Sequence, residues 1–373
     1  MAVTLVGASS VYGYLRFRLS QITAIKCHTC AAVADGTPYN VLIVGSDSRA
    51  GNSGAAARAF GSASLVGGQR SDTIKILHVD PAAGTARLLS IPRDTYVALS
   101  DMPASSGLSV DNKINAGFNY GPDALIQTIQ NTFGITISHF VIIDFTGVIN
   151  LVDSVNGINM NFPYPVRDDD NGNNNSGLYI PHAGCQTLNG NTALALARSR
   201  FFQYEVRPGY WRSDPSGDLG RIQRQNAIIE ATIDKARSSY NPLTINAFLG
   251  SVVHDVTVDQ NLSGSDLLSL AQKYHAFSGS SLQTVTLPTV GTYSPVGGDV
   301  QVVQQPQAEQ VIAQFLGTQP SETVTPPIDA YGAPVTVPPT TTAPATTPGT
   351  SGTSSSPPTT AVPGTGPFNP TPC

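Results

Sequence analysis

At Thr318 the composition of the chain changes, and that change bounds how much of it can fold. From there to Cys373 the sequence is dominated by Pro, Thr, Ser, Gly and Ala. Half of the 28 prolines lie in this stretch, and its only charged side chains are Glu322 and Asp329. Such a segment cannot bury enough apolar surface to offset its ordering entropy, so residues 318–373 are expected to form a disordered Pro/Thr/Ser-rich tail. Thr/Pro-rich stalks are typical of surface proteins; a plain linker is the other reading. What remains, Tyr39 to Gly317, is long enough for one large α/β domain with a sizeable core.

A net charge of −5 gives no general attraction to nucleic acid, and only 12% of the residues are charged. The four cysteines are Cys27, Cys30, Cys185 and Cys373. An even count permits disulfides in an exported protein. Cys27-His28-Thr29-Cys30 has half of a zinc spacing, but no second pair follows, so a structural disulfide is the favoured reading. The pairing of Cys27, Cys30 and Cys185 stays open. Ala2 to Leu15 is apolar and uncharged but shorter than the ~20 residues that span a bilayer. Residues 1–26 are therefore read as a partial membrane anchor, with the domain on the extracytoplasmic side, and 27–38 as a linker.

Within 39–317, strand and helix patterns alternate. Tyr39 to Val44 reads as a buried strand that ends at Gly45 and delivers Ser46, Asp47, Ser48 and Arg49 to a loop. Residues 50–69 are Gly-, Ser- and Ala-rich without periodicity, a flexible excursion. Asp72–Val79 and Thr85–Ile91 flank a turn containing Pro81 and Gly84, which predicts a hairpin running into Pro92-Arg93-Asp94. Leu125, Ile126, Ile129 and Phe133 share a helical face closed by Gly134. A strand at 137–145, a helix at 146–155, a strand at 158–162, an Asp/Asn-rich loop at 167–176 and a helix at 192–198 follow. The longest helix is expected at 218–239 with Asp218 as its N-cap. Helices at 242–254 and 265–277, a strand at 282–287 and a helix at 302–316 complete a layered α/β unit.

Two constellations carry chemistry. Asp47 and Asp72 sit at strand ends that pairing would bring together, and two carboxylates with nearby hydroxyls suit a hard cation such as Mg2+. Ordinary strand-end aspartates are the alternative. Arg198, Arg200, Arg207, Arg212, Arg221 and Arg224 fall within 27 residues with no lysine among them. Arginine's planar fork matches phosphate oxygens bidentately. Arg221 and Gln225, four apart, share a helix face near an N-terminus that favours anions. A cation at a helix C-terminus is the simpler account of Arg198 and Arg200. No GxSxG elbow, phosphate-cradling GxxxxGK[ST] loop or HExxH helix is present, so the corresponding serine, nucleotide and zinc chemistries have no support.

Seven segments, in order, resemble the LytR-CpsA-Psr (LCP) family: NVLIVGSDSR (40–49), RSDTIKILHVDP (70–81), LLSIPRDTYV (88–97), KINAGFNYG (113–121), FVIIDFTGVINLVDSVNGI (140–158), LNGNTALALARSR (188–200) and GDLGRIQRQ (217–225). Arg207 and Arg212 fall outside these blocks. The resemblance implies a three-layer α/β/α sandwich with a mixed central sheet and an apolar lipid channel, and makes 39–317 the catalytic domain. It implies a phosphotransferase that moves a glycopolymer from a polyprenyl diphosphate carrier to peptidoglycan, with Mg2+ at Asp47 and Asp72. By the same resemblance Arg93, Arg198, Arg200, Arg221 and Gln225 contact the diphosphate, and Asp218 supports the arginines. Arg49, Asp94 and Lys113 lie in matching blocks without a fixed role, and Asp47, Asp72 and Asp94 are candidates for the base. Membrane lipid is an expected partner and nucleic acid is not. The tail and the CHTC segment favour arabinogalactan or another wall polysaccharide as the glycan. A pyrophosphatase acting on the same lipids, or a non-catalytic polyprenyl-phosphate or wall-binding module, would use the same residues.

Overall fold

A computed structural model of the chain describes residues 13–14, 17–46, 71–102, 111–238, 253, 255–262, 266, 270, 277–318 and 368–373. Asp47, Arg49, the excursion at 50–69 and most of the helices expected at 242–254 and 265–277 lie outside the described residues.

The strands, in chain order, are β1 (Thr23–Ile25), β2 (Tyr39–Ser46), β3 (Ser71–Asp80), β4 (Thr85–Ile91), β5 (Tyr96–Ala98), β6 (Asp111–Lys113), β7 (His139–Ile143), β8 (Ile158–Phe162), β9 (Val166–Asp168), β10 (Tyr179–Ile180), β11 (Gly184–Leu188), β12 (Phe202–Arg207), β13 (Tyr210–Ser213), β14 (Val256–Asp259), β15 (Gln283–Thr286), β16 (Thr289–Ser294), β17 (Gly298–Val303) and β18 (Thr371–Pro372). The helices used below are α1 (Pro122–Phe133), α2 (Phe145–Ser154), α3 (Gly190–Arg198), α4 (Gly217–Ser238) and α5 (Gln307–Leu316).

The main sheet runs β1-β14-β7-β2-β3-β4-β15. It is mixed: β2 pairs parallel with β7, β4 with β15 and β1 with β14, while β2–β3, β3–β4 and β7–β14 are antiparallel. The β3–β4 hairpin forms where the turn residues predict it. Asp80 Oδ1 accepts from the Ala82 and Ala83 amides, and Gly84 takes the positive φ of 66° that closes the turn. Strands buried on both faces need a helical layer on each side. On one face Leu42, Val44, Ile74 and Ile76 pack with Leu125, Ile126 and Ile129 of α1 and Phe315 of α5. On the other, Ile43, Leu77 and Leu88 pack with Ile229 and Ile233 of α4. These are the three layers of an α/β/α sandwich. A separate core beneath α2, α3 and α4 is filled from two small sheets, β10-β9-β12-β13 and β11-β8-β18.

Both ends of the folded part differ from expectation. β1 is an edge strand of the main sheet, so residues 23–25 belong to the domain and not to an anchor. Among the described residues no helix is long and apolar enough to cross a membrane. The expected linker 27–38 is pinned at its start. Cys27 and Cys30 form a disulfide, Cys27 is buried in the main core, and Asp123 Oδ1 accepts from the His28 and Thr29 amides and the Thr29 hydroxyl. The tail is not disordered throughout. Residues 368–373 dock, with β18 paired to β8, Cys373 bonded to Cys185, and the Phe368 ring stacked 4.5 Å from that of Tyr204. A cysteine and an aromatic after a Pro/Thr run supply the packing that the run lacks.

The hairpins β12–β13 and β16–β17 were not expected, and residues 302–303 end β17 instead of starting α5. Arg207 and Arg212 therefore stand on strands, each with its guanidinium by the Tyr210 ring. Asp218 is not an N-cap. The helix starts at Gly217, and Asp218 sits in its first turn with its carboxylate on Arg221.

Candidate functional site: an arginine cluster at the sheet end

The antiparallel pairing that places Ile74 opposite Ile91 brings the start of β3 beside the end of β4. Asp72 and the Pro92-Arg93-Asp94 turn meet there. Arg93 Nη1 donates to Asp72 Oδ1 at 2.5 Å, and Arg93 Nε lies 3.5 Å from Asp94 Oδ2. Lys113, at the end of β6, reaches Asp94 at 3.3 Å. Two further arginines come from the other side of the chain. Arg200, just past α3, points Nη2 at the same Asp72 Oδ1 from 3.4 Å. Arg221, in the second turn of α4, pairs with Asp218 at 2.6 Å.

Charge and burial separate these groups. The Arg221 side chain is 4% exposed and that of Arg200 is 51% exposed, so the cluster has a dry floor and a wet rim. Burial lowers the pKa of Arg221; Asp218 opposes this, and the neighbouring cation Arg93 lowers it further. For Arg93, burial also works against the charge, but Asp94, Asp72 and Asp218 outweigh it and push its pKa up. Among the described residues Arg93 Nε and Arg221 Nε are buried and make no hydrogen bond, Arg93 Nε having only the 3.5 Å ion-pair approach of Asp94, and Asp218 Oδ2 is a buried acceptor without a donor. Unpaired buried polar atoms are costly, and a bound anion would accept from the two guanidinium nitrogens.

Between β3, β4 and α4 lies a buried polar trio that sequence reading missed, close enough for the charge of Arg221 to act on it. Lys75 of β3 donates to Ser90 Oγ of β4 at 2.9 Å and to Asn226 Oδ1 of α4 at 2.5 Å, and Ser90 Oγ lies 3.3 Å from the same Asn226 oxygen. The available signal was a lone lysine inside the apolar strand TIKIL.

The structure thus unites Asp72, Arg93, Asp94, Lys113, Arg200, Asp218 and Arg221. Two further expected diphosphate ligands, Arg198 and Gln225, make these contacts among the described residues. Arg198 ends α3 with its guanidinium 4.6 Å from the Phe145 ring centroid. Gln225 donates to the Ala197 carbonyl at 3.1 Å and so ties α4 to α3. Asp47 and Arg49 lie outside the described residues. Among the described residues no group of three or more His, Cys, Asp or Glu is placed to hold a metal. Asp72 offers one carboxylate oxygen: both arginines take Oδ1 and leave Oδ2 free among the described residues.

The sequence matches the LytR_cpsA_psr family over residues 18–315. It is 31% identical over 317 residues to the probable cell wall biosynthesis protein LcpB of Corynebacterium glutamicum, covering 84% of this chain and 69% of that protein. It is also 31% identical over 219 residues to the Bacillus subtilis polyisoprenyl-teichoic acid–peptidoglycan teichoic acid transferase TagV, covering 58% of this chain and 51% of TagV. The crystal structure of B. subtilis TagV aligns with a TM-score of 0.56 at 26% identity, over 77% of this chain and all of that one. A LytR-Csp2A-Psr enzyme from Actinomyces oris shares the fold, with a TM-score of 0.61 at 22% identity over 80% of this chain and 97% of that one. With the α/β/α layers and the sheet-end cluster in place, the chain belongs to the LytR-CpsA-Psr family.

Proposed function

We propose that the protein is a cell-wall glycopolymer transferase of the cell envelope, which moves a glycan from a polyprenyl diphosphate carrier to peptidoglycan. The observation that carries this reading is the convergence of Arg93, Arg200 and Arg221, from three separate elements, around the single carboxylate Asp72. Such a fork array suits a diphosphate, and relatives named for cell wall biosynthesis and teichoic acid transfer support the substrate class.

In the proposed reaction an acceptor sugar hydroxyl attacks the glycan-side phosphorus. The new P–O bond forms as the P–O–P bond breaks, and polyprenyl phosphate leaves with the bond electrons. Arg93 and Arg221 sit where negative charge builds on the transferring group, in a dry environment that strengthens their effect. Arg200, at the wet rim, guides and orients the diphosphate. Asp94, which pairs with Lys113 and Arg93, is one candidate for the base that takes the hydroxyl proton, beside Asp47 and Asp72. Mg2+ would be held by Asp72, whose Oδ2 has no partner among the described residues, with Asp47 as the second expected ligand, since this ion needs only one or two carboxylates and keeps several waters. Bound there, it would add positive charge against the phosphoryl oxygens. The prenyl chain requires an apolar path leading from the cluster into the sandwich.

The test is release of prenyl phosphate from a short prenyl diphospho-glycan by the full chain with Mg2+, with and without peptidoglycan. The expected result is release together with covalent attachment of glycan to peptidoglycan. Arg93→Ala and Arg221→Ala should each reduce release by roughly 100-fold or more. Undiminished release in both variants contradicts the site. Release without attachment makes the protein a pyrophosphatase.

A further inference from the structure

Lys75 is 1% exposed, the least expected side chain in the main sheet. It lies between β3, β4 and α4, and among the described residues its Nζ has only neutral acceptors, Ser90 Oγ and Asn226 Oδ1. The residue opposite on β2 is the apolar Ile43. The charges that act on it come from α4: Arg221, which repels a proton on Nζ, and Asp218, which attracts one. Asp218 is already paired with Arg221 at 2.6 Å. A lysine with no carboxylate partner among the described residues, out of water and within reach of a guanidinium's charge, holds its proton weakly. Burial and Arg221 bring its pKa from the ordinary 10.5 down to about 7.

We infer that Lys75 is a conditional cation of the arginine cluster, taking up a proton when a diphosphate binds beside Arg221 and coupling anion affinity to pH. This rests on the diphosphate reading of the cluster and assigns Lys75 a positioning role, since Ser90 and Asn226 hold it within reach of the charge of Arg221. The anion's negative charge offsets the repulsion from Arg221, so the bound state favours charged Lys75 where the free state does not. Binding therefore draws a proton from solvent and weakens as the medium becomes more alkaline. At most one proton is linked, which limits the effect to ~10-fold in affinity per pH unit above about pH 7.

Calorimetric titration tests this, using the full chain, Mg2+ and a short prenyl diphospho-N-acetylglucosamine in two buffers of different ionisation enthalpy. The doubly esterified diphosphate of this probe does not titrate near neutrality. At about pH 8 the wild type should take up ~0.5–1 proton per ligand. Lys75→Met should bind with near-zero uptake and an affinity flat in pH. Asn226→Asp is the second variant, which keeps the test alive if Lys75→Met folds poorly. Its carboxylate would fix the proton on Lys75 before binding, so uptake should again vanish. Binding by the wild type without proton uptake, or uptake that persists in either variant, overturns the inference. Failure of the wild type to bind the probe at all overturns the diphosphate reading itself, and the Lys75 coupling with it.

Discussion

Arg221 and Arg224 are three residues apart on α4, and both are buried, at 3% and 1% exposure. Their surroundings differ. Arg224 Nη1 donates to Asp214 at 2.6 Å and to Asn369 at 3.2 Å, its Nη2 donates to the Ser199 carbonyl, and its guanidinium lies 4.2 Å from the Phe202 ring centroid. Asp214 is itself buried. Among the described residues Arg221 has one ion-pair partner, the quarter-exposed Asp218, and the charges of Arg93 and Arg200 act against its own while that of Asp72 supports it. Among the described residues the Nε of each arginine lacks a partner, so that feature does not separate them. The terminal nitrogens do. Those of Arg224 are both paired within the fold and fasten residue 369 to α4; Arg221 is held at a cost that a bound anion would repay.

Removing the two guanidinium groups should therefore have opposite signatures. Arg224→Met leaves the Asp214 carboxylate buried and unpaired, and breaking such a pair costs ~3–5 kcal/mol. Chemical denaturation should show a loss of that size. Arg221→Met leaves only a partly solvated Asp218 and relieves cation–cation repulsion, so its stability should stay within ~1 kcal/mol of wild type. Equal losses in both would erase the contrast.

The Arg224 side of the comparison extends to the chain end. Opening the Cys185–Cys373 bond by a Cys185→Ser/Cys373→Ser double substitution should lower stability by ~2–4 kcal/mol. It should also weaken the Asn369 contact to Arg224. Proteolysis that frees residues 368–373 only in the double variant would show that the bond, and not β18 alone, keeps the terminus docked.

Lys75 sharpens the Arg221 side. Its pKa is about 7 in the fold and 10.5 ordinarily. Between those values the unfolded chain holds a proton that the folded chain does not, so this group's contribution to stability rises with pH across that window. Below about pH 7 both states are protonated and the buried charge is an undiminished burden. Denaturation at a series of pH values should show that rise in the wild type and its absence in Lys75→Met.

How far these features could be read in the sequence depended on their physics. β2, the β3–β4 hairpin, α1 and α4 were legible because their apolar periodicity and turn residues agree. Arg93 and Arg221 were legible through ordered motif blocks. The β12–β13 hairpin carries Glu205, Arg207, Tyr210 and Arg212 on a solvated surface, so no alternation marks it. Arg221 and Arg224 look alike in sequence, because what separates them is Asp214, Ser199 and Asn369, contributed from distant positions. The docked terminus was hidden because a disulfide needs a partner 188 residues away that composition does not reveal. Lys75 was passed over as part of an apolar strand, although a lysine pointing into a core is itself the signal.

The most direct test compares release of prenyl phosphate from a prenyl diphospho-glycan by wild type and Arg221→Met, at a temperature where both are fully folded. The account predicts a loss of roughly 100-fold or more in the variant, with unchanged stability. Wild-type release from a folded Arg221→Met protein would contradict it.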